Sequence, residues 1–278
     1  MSFTPDFQTS QVKTARHTLF TKVLKADQPI AFVCIIHGFG EHSGRYDHVA
    51  LAFAERQIST YLIDLPGHGK SSGKQGDIKA LNDFILAIDA LMELGKTENP
   101  ALPYFMYGHS MGGGLLLRYL TLVETPPQAA VVTSPWLQLA SEPSAFKIIL
   151  GRMTMTLGLN IAQDAALDPK YLSHDPEVGK NYISDPLTHG KITPKAFFAL
   201  RENGNYLLQM NEEFRNPILL AHGTDDKITA IEASKKLASQ HPKTVSFKEW
   251  PNLRHETHNE INKNDVIDFY VKWLLEKI

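Results

Sequence analysis

A single cysteine stands among 278 residues, so no disulfide framework is available to this chain. Cys34 lies inside the apolar run Ile30 to Ile36, where a buried strand residue is expected rather than a nucleophile, and a chain without disulfides fits a reducing compartment. Long hydrophobic runs are lacking too: none approaches the ~20 residues of a membrane-spanning helix. The opening Met-Ser-Phe-Thr-Pro-Asp has neither the basic nor the apolar region of a secretion signal, and the expectation is a cytoplasmic protein. Charge of one sign is also missing. With 28 Lys and Arg against 30 Asp and Glu the formal charge is −2, which gives nucleic acid no electrostatic reason to bind. What is present, 43% hydrophobic and 21% charged residues, suits one large core or one core with an insertion.

The stretch that organises the chain is Pro103 to Leu117, Pro-Tyr-Phe-Met-Tyr-Gly-His-Ser-Met-Gly-Gly-Gly-Leu-Leu-Leu. Its aromatic and apolar start predicts a strand, its leucine-rich end a helix, and Ser110 falls at the corner between them. Glycines at 108 and 112, two residues either side of Ser110, are what a strained nucleophile elbow requires, because side chains there clash with the neighbouring strand and helix. Such a turn stands Ser110 Oγ clear of the sheet and aims the backbone N–H of Met111 at the place where an oxyanion forms. Gly-x-Ser-x-Gly alone is a short pattern. Its context predicts an acid and then a histidine downstream.

Before the elbow, His17 to Leu24 alternates as an exposed edge strand does, and Ile30 to Ile36 reads as a strand buried on both faces. His37-Gly38-Phe39-Gly40 follows it directly, and the N–H of Phe39, between two glycines, is the second expected oxyanion donor. A helix is expected from about 47 to 56, a strand from Thr60 to Ile63, and then a helix with Asp77 as N-cap and Gly95 near its end. Gly69-Lys70-Ser71 resembles the end of a phosphate-binding loop, but the first glycine that loop needs falls at Asp64 and Pro66 removes an amide, so nucleotide binding is rejected. Ala129 to Thr133 is the next strand. This alternation of short strands and amphipathic helices means a mostly parallel sheet covered on both faces.

The alternation stops at Leu137 and resumes at Pro217, dividing the chain into a first core segment, 1–136, a helical insertion, 137–214, and a second core segment, 215–278. Ala145 to Ala162 is apolar around too much of its circumference for a helix with one wet face. Two readings stay open: a core helix of the insertion, or a lid over Ser110 whose outer face makes transient contact with a membrane surface.

Pro217 to Gly223 is a late strand that runs into Thr224-Asp225-Asp226. Loops at strand ends share one edge with the elbow, so the acid is expected there; Asp226 is preferred, with Asp225 as its competitor. After a helix at about 231–240 and a strand at Val245 to Trp250 comes His255, the expected base, with His258 as rival; a helix over Asp265 to Lys277 closes the chain. The His-x-x-His spacing lacks the i, i+4 geometry of a zinc helix and has no evident third ligand, so no metal is expected. Most of the remaining histidines, such as His17, His174 and His189, are expected at the surface.

With Ser110, Asp226 and His255 in that chain order, the sequence resembles an α/β-hydrolase. His37-Gly-Phe-Gly-Glu-His-Ser-Gly-Arg-Tyr46, Asp64-x-Pro-Gly-His-Gly-x-Ser-x-Gly73, Gly108-His-Ser-Met-Gly-Gly113 and His222-Gly-x-x-Asp226 are similar to the monoacylglycerol lipase and lysophospholipase group, the serine aminopeptidase-like S33 hydrolases. The resemblance implies an α/β-hydrolase fold with a mobile helical cap and a serine ester hydrolase acting on a single-chain glycerolipid, without a cofactor. It implies that Glu41, Arg45, His109, Tyr182 and His258 meet the alcohol end of the substrate. Arg254 stands where the group often has tyrosine, which implies a more cationic pocket edge and a lysophospholipase as the alternative. A non-catalytic receptor or scaffold of the same fold is the third reading.

Overall fold

The computed structural model describes residues 6–165 and 167–278. Residues 1–5, at the head of the expected first core segment, and Ala166, inside the expected insertion, lie outside that description. In chain order the elements are β1 (Gln8–Lys13), β2 (Thr18–Leu24), β3 (Ala31–Ile36), α1 (Asp47–Ala54), β4 (Ile58–Ile63), α2 (Leu81–Glu98), β5 (Tyr104–His109), α3 (Ser110–Leu122) and β6 (Ala129–Thr133). They continue with α4 (Ala145–Thr156), β7 (Gln163–Asp164), α5 (Pro176–Ser184), β8 (Lys191–Ile192), α6 (Pro194–Leu207), β9 (Ile218–Gly223), α7 (Ile231–Gln240), β10 (Val245–Trp250) and α8 (Lys263–Leu275).

One sheet runs in the order β1-β2-β4-β3-β5-β6-β9-β10. From β4 to β10 every neighbouring pair is parallel, while β1, β2 and β4 pair antiparallel. Every residue of β3, β4, β5, β6 and β9 is buried, as parallel strands covered on both faces must be. One apolar layer gathers Phe84 and Ile88 of α2, Leu115 and Leu116 of α3 and Leu237 of α7 over one face. The other gathers Val49 and Phe53 of α1 and Val266 and Tyr270 of α8. Burying each such side chain contributes about 1.5–3 kcal/mol, far more than helix propensity does, so the sheet decides where these helices lie.

Two local expectations are corrected. β2 is not an edge strand, because β1, too polar to show alternation, pairs outside it from Gln8 opposite Val23 to Lys13 opposite Thr18. Asp77 does not cap α2, which begins four residues later; its Oδ1 instead accepts from Asn160 Nδ2 at 2.6 Å and Thr193 Oγ1 at 3.0 Å, tying the core to the insertion. Gly95 does lie near the end of α2, in its last turn. A Cβ there would lie 2.5 Å from the Phe32 ring, so the glycine lets the helix pass close over β3.

Between β6 and β9 the described residues contribute no strand to the large sheet. Helix α6 joins the layer over α3, with Asn203 Nδ2 donating to Gly114 O at 2.9 Å and Gly204 so close to Leu137 that a Cβ would meet its carbonyl at 2.0 Å. Helix α4 is different: none of its residues is buried, and Phe146, Ile149 and Met153 are 74%, 58% and 56% exposed. The reading of this stretch as a core helix is therefore overturned, for its apolar side chains have no core to enter. Among the described residues no helix is long and apolar enough to cross a membrane.

Candidate active site

β5 passes into α3 without a loop, and the corner residue, Ser110, takes φ +53°, a left-handed backbone that a side chain adopts only when its surroundings enforce it. The enforcement is visible at the flanking glycines. A Cβ on Gly112 would stand 2.3 Å from His37 O and 2.5 Å from Ile36 O, and one on Gly108 would stand 2.8 Å from Gly112 O. The elbow thus exists because strand and helix approach to backbone contact.

The structure places Ser110 Oγ 2.9 Å from His255 Nε2 and His255 Nδ1 2.7 Å from Asp226 Oδ2. A carboxylate only accepts, so Nδ1 carries the proton and Nε2 is free to accept from the serine. Asp226 Oδ1 also accepts from the N–H groups of Ile228 at 2.7 Å and Thr229 at 3.1 Å. Burial opposes ionisation of Asp226, but His255 and His222 beside it hold its carboxyl well below the usual range. Asp225, the competitor, points outward to Lys227 at 2.9 Å. Burial acts to lower His255, yet Asp226 outweighs it and the imidazole titrates above its ordinary value.

Phe39 and Met111 flank the serine. Met111 is the second residue of α3, where backbone N–H groups have no carbonyl partner within the helix. Phe39 is fixed by its two glycines: Gly38 N–H donates to Glu41 Oε1 at 2.6 Å, and Gly40, at φ +70°, lies so close to His189 that a Cβ would meet its carbonyl at 2.1 Å. His37 secures the same loop, its Nε2 accepting from Leu65 N–H at 2.9 Å. His189, expected at the surface, is buried here and donates its N–H to Gly40 O at 2.9 Å.

A cleft of about 890 Å³ opens above the serine. Its floor includes Phe39, Ser110 and His255; Ile148, Leu150 and Phe198 give it an apolar wall, and Glu41, His109, Tyr182 and Glu256 a polar end. His109 hydrogen-bonds Thr133 Oγ1 at 2.9 Å, and burial, with His255 adding, pushes it down to about 3, so it is neutral at ordinary pH.

Two of the five expected substrate contacts lie elsewhere. Arg45 is set behind Glu41, its guanidinium bound to Glu41 and forked onto Glu256 at 2.6 and 2.8 Å, and is not on the cleft wall. His258 is fully buried, stacked on Tyr46 at 4.9 Å between centroids and packed behind His109 at 4.8 Å, so it does not reach the serine. Arg254 also fails to edge the cleft, because its guanidinium donates to the carbonyls of Lys170 at 2.7 Å and Ser173 at 2.9 Å. Three residues of the site carried no expectation from sequence: Thr229, whose Oγ1 lies 2.9 Å from Asp226 Oδ2, His222 and Glu256. His222 stands in the His-Gly-x-x-Asp226 motif, and Glu256 directly follows the histidine; both signals are local but silent about contact. The rejected phosphate loop is explained by Asp64, whose Oδ2 accepts from Lys70 N–H at 2.8 Å, an acid where an anion would have to lie.

The family described as serine aminopeptidase, S33, matches residues 27–262. A monoacylglycerol lipase of Mycolicibacterium smegmatis is 30% identical over 252 residues, covering 90% of each chain. An uncharacterized abhydrolase domain-containing protein of Dictyostelium discoideum is 36% identical over 254 residues, 90% of this chain, which spans only 27% of that protein's length. Among solved structures, the monoacylglycerol lipase of Paleococcus ferrophilus superposes with a TM-score of 0.85 at 29% identity, covering 94% of this chain and 99% of that one.

Proposed function

The chain is a hydrolase of the serine aminopeptidase S33 family with a monoacylglycerol lipase-like α/β-hydrolase fold, and on that premise we propose that it cleaves the acyl ester of monoacylglycerols. The observation that carries this is the unbroken chain Ser110 Oγ, His255, Asp226 at the floor of a cleft with one apolar wall and one polar end. A single acyl chain suits the apolar wall, and a free glycerol end suits Glu41, His109 and Tyr182. Arg45 and His258 support Glu41 and His109 from behind in this reading, rather than touching substrate. The cleft volume lies within the ~300–1,000 Å³ of small-molecule sites.

In the proposed reaction Ser110 Oγ bonds to the ester carbonyl carbon as His255 Nε2 takes its proton. The carbonyl oxygen becomes an oxyanion held by the N–H groups of Phe39 and Met111, each worth roughly 3 kcal/mol in comparable sites. Asp226 stabilises the imidazolium. The bond to the glycerol oxygen then breaks, that oxygen takes the proton from His255, and water repeats the cycle on the acyl-serine.

Helix α4 is proposed to rest on the lipid surface from which the substrate is drawn, because Ile149, Met153 and Leu157 are exposed on it or directly after it. The protein in this reading is cytoplasmic and peripheral at a membrane, and the mobile cap comprises α4 and α5, with α6 belonging to the core layer.

The test is the hydrolysis of 1-monooleoylglycerol beside oleoyl-lysophosphatidylcholine by wild type and Ser110→Ala, with fluorophosphonate labelling of the serine. Faster turnover of the monoglyceride, lost in Ser110→Ala, is expected. Faster turnover of the lysophospholipid would replace the proposed substrate. Folded protein that neither labels nor turns over either lipid would leave the binding or scaffold reading.

A further inference from the structure

We propose that His222, locked by Ser234, is a positioning residue that fixes the Asp226 oxygen on which His255 depends. The inference rests on the reading of Ser110, His255 and Asp226 as the hydrolytic chain. His222 is the next-to-last residue of β9 and is fully buried. Gly223 after it lets the strand end pack directly on the base-bearing loop, since a Cβ would meet the carbonyls of Leu253 and Arg254 at 2.3 and 2.4 Å. The chain then turns and brings Asp226 back over the histidine.

Asp226 Oδ2 lies 2.7 Å from His255 Nδ1, 2.9 Å from Thr229 Oγ1 and 3.0 Å from His222 Nε2. A carboxylate oxygen requires a donor at each short contact, so the His222 proton sits on Nε2. Its bare Nδ1 then needs a donor of its own, and Ser234 Oγ, fully buried on α7, is 2.8 Å away. Hydrogen bonds therefore run from Ser234 through His222 to Asp226, and from Ser110 through His255 to the same carboxylate. Such outer partners orient a catalytic group and set how strongly it holds charge. The charged or titratable groups around His222 are Asp226, His255 and, across the register on β10, Glu249, which is half-exposed and pairs with Lys235 at 3.1 Å.

A histidine that merely fills the core and one that positions Asp226 differ in what their removal does to the pH profile. Without the His222 donor the charge on Oδ2 is less dispersed, so Asp226 holds the His255 proton more strongly. The acid limb of kcat/KM then moves to higher pH. The carboxylate also loses one of the contacts that fix its rotation, so kcat falls while KM, set by the cleft, does not.

The experiment measures kcat, KM and the pH profile with a soluble p-nitrophenyl ester for wild type, His222→Leu, His222→Gln and Ser234→Ala. His222→Leu is expected to lose about 10- to 100-fold in kcat, less than the ~10⁴ lost on altering a triad acid, with KM little changed and the acid limb shifted upward. His222→Gln, whose amide nitrogen reaches the place of imidazole Nε2, restores most of both. Ser234→Ala shifts them in the same direction by less, and it decides the matter if His222→Leu does not fold. A wild-type limb and kcat in His222→Leu, or in Ser234→Ala where that variant decides, would reduce His222 to a packing residue. A kcat loss with no limb shift and no rescue by Gln would do the same. A wild type that neither turns over ester nor labels at Ser110 would instead remove the hydrolytic reading itself, and this inference with it.

Discussion

Replacing Arg45 by Met is the most informative perturbation of the polar region beneath the cleft. Among the described residues the guanidinium is the only cation bound to Glu41 and Glu256, and the two carboxylates are 3% and 2% exposed. Methionine fills much of the volume but leaves both acids buried without a counter-ion. Removing one partner of a buried ion pair costs about 3–5 kcal/mol, because the remaining charge stays desolvated. For a chain of this size that is a fall in Tm on the order of 10 °C. The pH dependence gives the sharper check. Burial acts to raise Glu41, but Arg45, with the Tyr46 hydroxyl donating to it, holds it below its ordinary 4.5 in the folded protein. In wild type this group stabilises the fold above 4.5, and the contribution is lost as pH falls from there through the lower folded value. In Arg45→Met the shift of Glu41 reverses, because burial still raises it and the cation that lowered it is gone. The variant is therefore least stable, relative to wild type, near pH 7, and the gap narrows as Glu41 takes a proton toward about pH 4. Urea unfolding of both proteins across that range measures it. A gap below about 1 kcal/mol at pH 7, or one that does not change with pH, would refute the argument.

The acid limb of kcat/KM on a soluble ester is expected to reflect loss of the His255 proton, with its midpoint above the ordinary 6.5 because Asp226 outweighs burial; a midpoint at or below 6.5 would contradict the charge balance of the site. Gly112→Ala, which places a Cβ 2.3 Å from His37 O, is expected to lose about 1–3 kcal/mol in urea unfolding together with most turnover, since the elbow moves as a unit. Unchanged turnover there would show that the tight approach is not what shapes the serine corner. Ile149→Lys and Met153→Lys, which lie off the cleft wall, are each expected to weaken sedimentation with phosphatidylcholine vesicles about tenfold or more, from the ~1.5–3 kcal/mol of an apolar side chain, while leaving turnover of a short soluble ester within about twofold. Vesicle binding equal to wild type would take α4 out of the proposed lipid contact.

The fold was legible where a pattern has one physical cause. Runs such as Ile30 to Ile36 and Ala129 to Thr133 are apolar throughout because both faces of the sheet are covered, and the observed strands fall on them. β1 was not legible, because Gln-Thr-Ser-Gln-Val-Lys has no core face and its hydrogen bonds come from β2 alone. In the site, motif order placed Ser110, Asp226 and His255 within reach of one another, since loops at one sheet edge converge. Depth was what the sequence withheld. Arg45 and His258 belong to motifs whose spacing says nothing of which residue stands in front, and the structure sets both behind Glu41 and His109. His189 was misjudged for a related reason: its burial depends on a contact with Gly40, about 150 positions away along the chain.

The hydrogen bond between Ser110 and His255 joins residues 145 positions apart. During synthesis the serine emerges well before its partner, and the loop that holds the histidine follows β10, which pairs with β9 at the sheet's far edge. On the proposed mechanism the growing chain therefore carries a serine with no base, as inert as any other hydroxyl. Its chemistry switches on at one late event, the closing of the sheet's far edge, and a chain that stalls or misfolds short of it is harmless to the lipids around it.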